Sequence, residues 1–142
     1  MSELQIRAFQ EEDQAAVIQL WRDCQLVRSN NDPVKDIQRK LKVQRELFLV
    51  GEINNTIVAS VMAGYDGHRG AVNYLAVHPT KQQLGFGKEL MSVVEHLLDE
   101  LGCPKINLHV RTSNSEVIKF YESLDYQIDD VYCIGKRLEY DE

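Results

Sequence analysis

The chain has 142 residues, 44% of them apolar and 27% charged, and a net charge of −6 at pH 7. This is the length of one domain with ordinary globular composition, which excludes a disordered or collagen-like chain. The acidic balance argues against a nucleic-acid partner, and no apolar run approaches the roughly 20 residues of a membrane span.

Residues 1–9 lack the basic and apolar regions of a signal peptide. Cys24, Cys103 and Cys133 match no zinc or redox spacing and cannot all pair. They are expected to be small core residues of a protein kept in a reducing cytoplasm, with no metal site.

Residues 4–8 alternate apolar and polar side chains, which predicts a short strand. Glu11, Glu12 and Asp13 put acid where a helix begins, and Ala16, Val17, Leu20, Trp21 and Cys24 continue at helical spacing. Asp32-Pro33 predicts a second helix, with Asp as its cap and Pro in its first position. Ile37 and Leu41 give that helix a thin apolar stripe.

Residues 47–53 and 56–65 read as two strands joined at Asn54-Asn55, because Asn tolerates the positive φ of a tight turn. A turn at residues 66–70 and a strand at 71–77 complete three consecutive antiparallel strands. His78-Pro79 ends the third of them.

A long helix follows Gly87, with Leu90, Met91, Val94, Leu97, Leu98 and Leu101 on its buried face and Gly102 and Pro104 as its stop. Residues 105–110 read as a strand. Asn114 or Ser113 caps a last helix whose stripe is Val117, Phe120, Tyr121 and Leu124. Residues 126–128 and 131–138 are expected to close the sheet, and an exposed C-terminal strand would allow pairing across a homodimer. The order β-α-α-β-β-β-α-β-α-β-β describes a single α/β domain over residues 1–142 with a mixed sheet.

The loop Gln82-Gln83-Leu84-Gly85-Phe86-Gly87 carries the chemistry. The first turn of a helix has unpartnered N–H groups and a partial positive charge. Glycines there let an anion approach the backbone, so a diphosphate is the natural guest, assisted by Lys81 and Lys88. The dinucleotide fingerprint fails for want of a third glycine. The P-loop fails because Gln82 stands for its first glycine and Glu89 for its Ser or Thr.

What remains, Gln82-x-x-Gly85-x-Gly87 after His78-Pro79, resembles the coenzyme A pyrophosphate loop of the GNAT acetyltransferases. Asn114 and Tyr121 have the spacing of that family's Asn–Tyr element around the fourth helix. Asn31-Asp32-Pro33 and the segment 64–70 are similar to small bacterial members, and the resemblance covers residues 6–138.

The resemblance implies a GNAT (acyl-CoA N-acyltransferase) fold, a mixed and mostly antiparallel sheet flanked by helices whose fourth and fifth strands splay apart. It implies acetyl-CoA as cosubstrate, paired with the backbone of Leu75, Ala76 and Val77. It places the pyrophosphate on the amides of Leu84, Gly85, Phe86, Gly87 and Lys88, beside Gln82 and Gln83. Asn114 would touch the pantetheine arm and Tyr121 would act as general acid at the sulfur. The acceptor would be the primary amine of a small molecule or peptide, attacking the thioester directly.

Candidate bases are Asp66, His68, Asn73 (through water) and His78. Gln82 replaces a frequent arginine, and Asp125 replaces the glycine that usually follows the fourth helix. The competing expectation is a coenzyme A sensor or interaction module without catalysis on the same fold. A small amine, an amino acid, an antibiotic, a peptide N-terminus and a protein lysine are all compatible acceptors.

Overall fold

β1 (Gln5–Ala8) opens a five-stranded sheet whose strands lie in chain order. In this computed structural model, which describes residues 3–141, β1 pairs antiparallel with β2 (Phe48–Ile53). β2 pairs antiparallel with β3 (Thr56–Tyr65), and β3 with β4 (Gly70–Val77). The last pairing, β4 with β5 (Ile106–Leu108), is parallel. The mixed, mostly antiparallel sheet expected from the sequence is therefore present.

The β2–β3 turn has φ of 49° at Asn54 and 64° at Asn55. Both are left-handed, the geometry of a two-residue hairpin turn, and Asn is among the few residues that adopt it at low cost.

Helices cover both faces of the sheet. α1 (Gln14–Asp23) and α2 (Pro33–Lys40) lie over one face, where Trp21, Ile37, Phe48 and Val50 are completely buried. α3 (Phe86–Glu100) and α4 (Ser115–Glu122) cover the other, where Leu90, Met91, Val94 and Leu98 meet Val61 and Tyr121. These residues recur every three or four positions, the spacing of one helical face.

Each helix start has an identifiable cause. A 3₁₀ turn at Glu11–Asp13 leads into α1, and the Asp13 carboxylate accepts from the Gln10 amide at 2.8 Å while holding Arg7 through both guanidinium nitrogens. Asp32 Oδ1 accepts from the amides of Val34 and Lys35 at 2.9 and 3.3 Å, capping α2 as its sequence predicts. Asn114 Oδ1 accepts from the Val117 amide and caps α4.

Three expectations need correction. Residues 126–128 and 131–138 are not strands, because among the described residues the sheet ends at β5. Their alternating apolar pattern has no ladder partner among the described residues, and Tyr132, Ile134 and Leu138 are 92–95% exposed. Cys133 is exposed rather than a core residue, and Cys24 and Cys103 are half-buried; all three thiols are free. Leu101 caps the end of α3 and is half exposed instead of lying in the buried stripe. No helix among the described residues is long and apolar enough to cross a membrane.

Candidate active site

β4 and β5 are paired only at Gly70–Ile106, Ala71–Asn107 and Val72–Leu108. β5 ends at Leu108, so from Asn73 to Val77 the β4 edge runs on without a strand partner, and this unpaired stretch is one wall of a slit toward the end of β4. Main-chain groups along that edge face a gap where a linear ligand could pair with them.

At the open end, β4 runs through His78 and a 3₁₀ turn at Pro79–Lys81 into the loop before α3. Gln83 and Gly85 both take left-handed backbone conformations, with φ of 63° and 86°. Gly85 is the N-cap of α3 and has no side chain with which to satisfy the first amides of the helix. A Cβ placed on Gly85 would meet nothing within 4 Å, so the loop leaves open space directly before those amides.

The second glycine has a different cause from the one its sequence context suggests. A Cβ on Gly87 would lie 3.1 Å from Phe120 Cζ, so Gly87 lets α4 approach α3. Phe86 turns its side chain into the core, leaving only its backbone to the loop. Gln82 Nε2 donates to the Val77 carbonyl at 3.0 Å, tying the loop to the end of β4. Leu84 and Lys88 are exposed.

Tyr121 is 8% exposed in the α3–α4 core, edge-on to Tyr126 at 5.5 Å between ring centroids. Burial pushes its hydroxyl up to about 12, so it stays a proton donor through the neutral range. Among the described residues its hydroxyl has no hydrogen-bond partner.

The opposite face holds a constellation that sequence reasoning missed. Ser60 pairs with Ala76 and Met62 with Asn73, so Tyr74 and Leu75 together oppose Val61 in a β-bulge. Tyr74 has φ of 53° and stacks on Trp21 at 3.8 Å between ring centroids. Its hydroxyl donates to Asp36 Oδ2 at 2.6 Å and accepts from Asn31 Nδ2. Burial and the Asp36 carboxylate hold that phenol well above the ordinary tyrosine range.

Ser60 pins the bulge from beneath. Its hydroxyl accepts from Trp21 Nε1 at 2.9 Å and donates to the Tyr74 carbonyl at 3.1 Å. Ser60→Ala is expected to cost about 1–3 kcal/mol by leaving a buried indole N–H unpaired. Urea unfolding followed by Trp21 fluorescence checks it, and an unchanged midpoint would contradict it.

The candidate bases separate. Asp66 and His68 lie in the β3–β4 turn, at the closed end of the slit. The Asp66 carboxylate accepts from the amides of His68 and Arg69, which hold it below the usual carboxylate range. His78 binds Thr80 through Nδ1 and lies 3.3 Å from Asp23 through Nε2, the contacts of a loop-organising residue. Asn73 stands where the slit begins.

A family model described as the acetyltransferase (GNAT) family matches residues 14–126. An acetyltransferase of Yersinia pestis strain Pestoides F is 52% identical over 139 residues, covering 98% of this chain and 99% of the relative. An acetyltransferase of Pectobacterium atrosepticum is 50% identical over 135 residues, covering 95% and 96%. The chain belongs to the GNAT acetyltransferase family.

The GNAT fold is equally plain in three dimensions. The structure of AAC(6')-Iy with the bisubstrate analogue CoA-S-monomethyl-acetylneamine superposes with a TM-score of 0.77 at 17% identity, covering 96% of this chain and 99% of that one. Ard1 from Thermoplasma volcanium gives 0.74 at 23% identity, covering 90% and 85%. The slit, the α3 loop and the α4 tyrosine are thus parts of a GNAT acetyltransferase. Among the described residues no cluster of three or more metal-ligating side chains occurs.

Proposed function

We propose that this acetyltransferase moves the acetyl group of acetyl-CoA onto a primary amine by direct attack, with donor and acceptor entering from opposite faces of the sheet. The observation that carries the reading is the unpaired β4 edge from Asn73 to Val77, which leads to a glycine-capped helix start.

The donor fits these residues. The amides of residues 84–88 hold its pyrophosphate, and the β4 backbone at Leu75, Ala76 and Val77 holds its pantetheine arm. Gln83 shapes the loop through its left-handed turn, and Gln82 braces it against Val77. Asn114, already engaged as a cap through Oδ1, keeps its amide nitrogen for the arm. The CoA-bound neighbours AAC(6')-Iy and the PaiA N-acetyltransferase of Thermoplasma acidophilum support this assignment.

The acceptor enters on the α1–α2 face. Asp36 lies there beside Tyr74, at the bulge that borders the slit, and attracts and orients a cationic amine. The amine loses a proton to water before it attacks. Its lone pair forms the C–N bond as the C–S bond breaks, and Tyr121 donates a hydrogen bond to the departing sulfur. Nitrogen releases a second proton as the amide forms, and that one is matched by the proton the thiolate gains, so the products are an amide and a thiol, with the first proton left in water. Placing two reactants in line contributes several kcal/mol without further side chains.

Mass spectrometry of an amine panel incubated with labelled acetyl-CoA tests the reading. Acetylated primary amines are expected, whereas donor binding without transfer to any amine would favour a sensor. Asp36→Asn is expected to raise KM for a cationic acceptor about tenfold, about 1.4 kcal/mol, with kcat little changed. An unaltered KM would remove Asp36 from the acceptor side.

A further inference from the structure

α2 carries a guanidinium that is held as a ligand would hold it. Arg39 grips the Asp141 carboxylate with both ends of its fork, Nη1 to Oδ2 and Nη2 to Oδ1, each at 2.8 Å. This is the bidentate geometry in which arginine recognises carboxylates. The Asp141 side chain is 4% exposed, whereas every residue from 127 to 140 is exposed. The chain thus returns to the body near its end to seat one carboxylate. Arg39, with the Lys35 ammonium and the Asp32 amide beside it, holds Asp141 down to about 2. Arg39 is itself 46% exposed, so a carboxylate from solvent can reach the fork and exchange with Asp141.

The neighbours of Arg39 give this seat a direction. Its Nη1 lies 3.3 Å from Asp36 Oδ1, one turn earlier on the helix, and its Nη2 lies 3.1 Å from Glu139. The other oxygen of Asp36 accepts from the Tyr74 hydroxyl at 2.6 Å, and Tyr74 belongs to the bulge that borders the slit. A carboxylate that draws an ammonium and a guanidinium that grips a carboxylate therefore stand in contact beside the slit. A purely cationic amine meets repulsion from Arg39 there. An α-amino acid carries both charges on one carbon and is matched at both ends.

We propose that the Arg39 fork is the seat of the acceptor's carboxylate, that Asp141 occupies it in the acceptor's absence, and that the acceptor is an α-amino acid acetylated on its amino nitrogen. The proposal rests on the placement of the acceptor on the α1–α2 face. The α-amino nitrogen is the nucleophile: it gives one proton to water and one to the leaving sulfur, and the products are an N-acetylamino acid and the thiol of coenzyme A. A peptide N-terminus or a polyamine, with no carboxylate beside its amine, leaves the fork to Asp141.

Initial rates with the twenty standard amino acids and their carboxamides, read as coenzyme A release from acetyl-CoA, test this. The native chain is expected to favour at least one amino acid over its carboxamide by about 10- to 100-fold in kcat/KM, the range of a charge-assisted bond. Arg39→Gln should bring that amino acid to the level of its carboxamide through KM. Arg39→Lys, which keeps the charge without the fork, should fall between. An undiminished thermal shift with acetyl-CoA shows that these variants are folded. Asp141→Asn, which removes the resident carboxylate, should lower KM for the amino acid and not for its carboxamide. Carboxamides used as well as acids, an Arg39→Gln loss shared by both, or an unchanged KM in Asp141→Asn would each overturn the proposal while acetylation of amines stands. Failure to acetylate any amine would instead remove the underlying reading of the site, and the proposal with it.

Discussion

Tyr121→Phe is expected to lower kcat by about a hundredfold or more while leaving donor affinity unchanged, the range that a positioned proton donor supplies. The substitution keeps the ring that packs among Phe120, Tyr126 and the α3 core, so stability should hardly move. Only the hydroxyl disappears, and among the described residues nothing else depends on it.

The pH profile gives the same test a second readout. A lysine-like amine has a pKa near ~10.4, so kcat/KM should climb with pH as the neutral amine accumulates. Tyr121, pushed up to about 12 by burial, keeps its proton throughout that climb. A falling limb is therefore expected only above the amine's own titration. A fall near pH ~10, where an ordinary tyrosine ionises, or full activity in Tyr121→Phe would contradict the assignment.

Gly85→Val is expected to abolish the stabilisation that acetyl-CoA confers on the native chain. At a φ of 86° a β-branched side chain is strained, and its methyl groups would fill the space before the α3 amides. The backbone cost alone is about 1–2 kcal/mol. Gly67 provides the control, since it has φ of 92° and equally open surroundings but lies in the β3–β4 turn at the closed end of the slit. Gly67→Val should lose comparable stability and keep the full donor shift. A donor at 100 times its Kd adds about 2.7 kcal/mol, a shift large enough to resolve by thermal melting. An undiminished shift in Gly85→Val would contradict the loop assignment.

The proposed donor side was legible in the sequence because its parts are local. Gly85 and the α3 start lie within a few residues of one another, and Asn114 caps the helix that carries Tyr121. The left-handed Asp125, with φ of 70°, also follows from its position just past a helix end. Gly87 was visible as a glycine, but its reason, the ring of Phe120, lies 33 residues further along the chain.

The proposed acceptor side was not readable. Tyr74, Asn31, Asp36 and Ser60 meet because a bulge shifts the β3–β4 register, and no periodicity in one strand reports a register shift against another. Trp21 was read correctly as a core residue, yet its hydrogen bond to Ser60 spans 39 positions. The closing strands were misread for a related reason. Alternation shows that residues 131–138 suit a sheet, and it does not say whose sheet.

In the proposed mechanism the β4 edge and the α3 start together hold the donor. Titrating ¹⁵N-labelled protein with coenzyme A and following its amide resonances tests this most directly. The largest shifts are expected at Leu75, Val77, Gly85, Gly87 and Lys88. Unmoved signals there, with changes gathered along β5 and residues 126–133 instead, would contradict it.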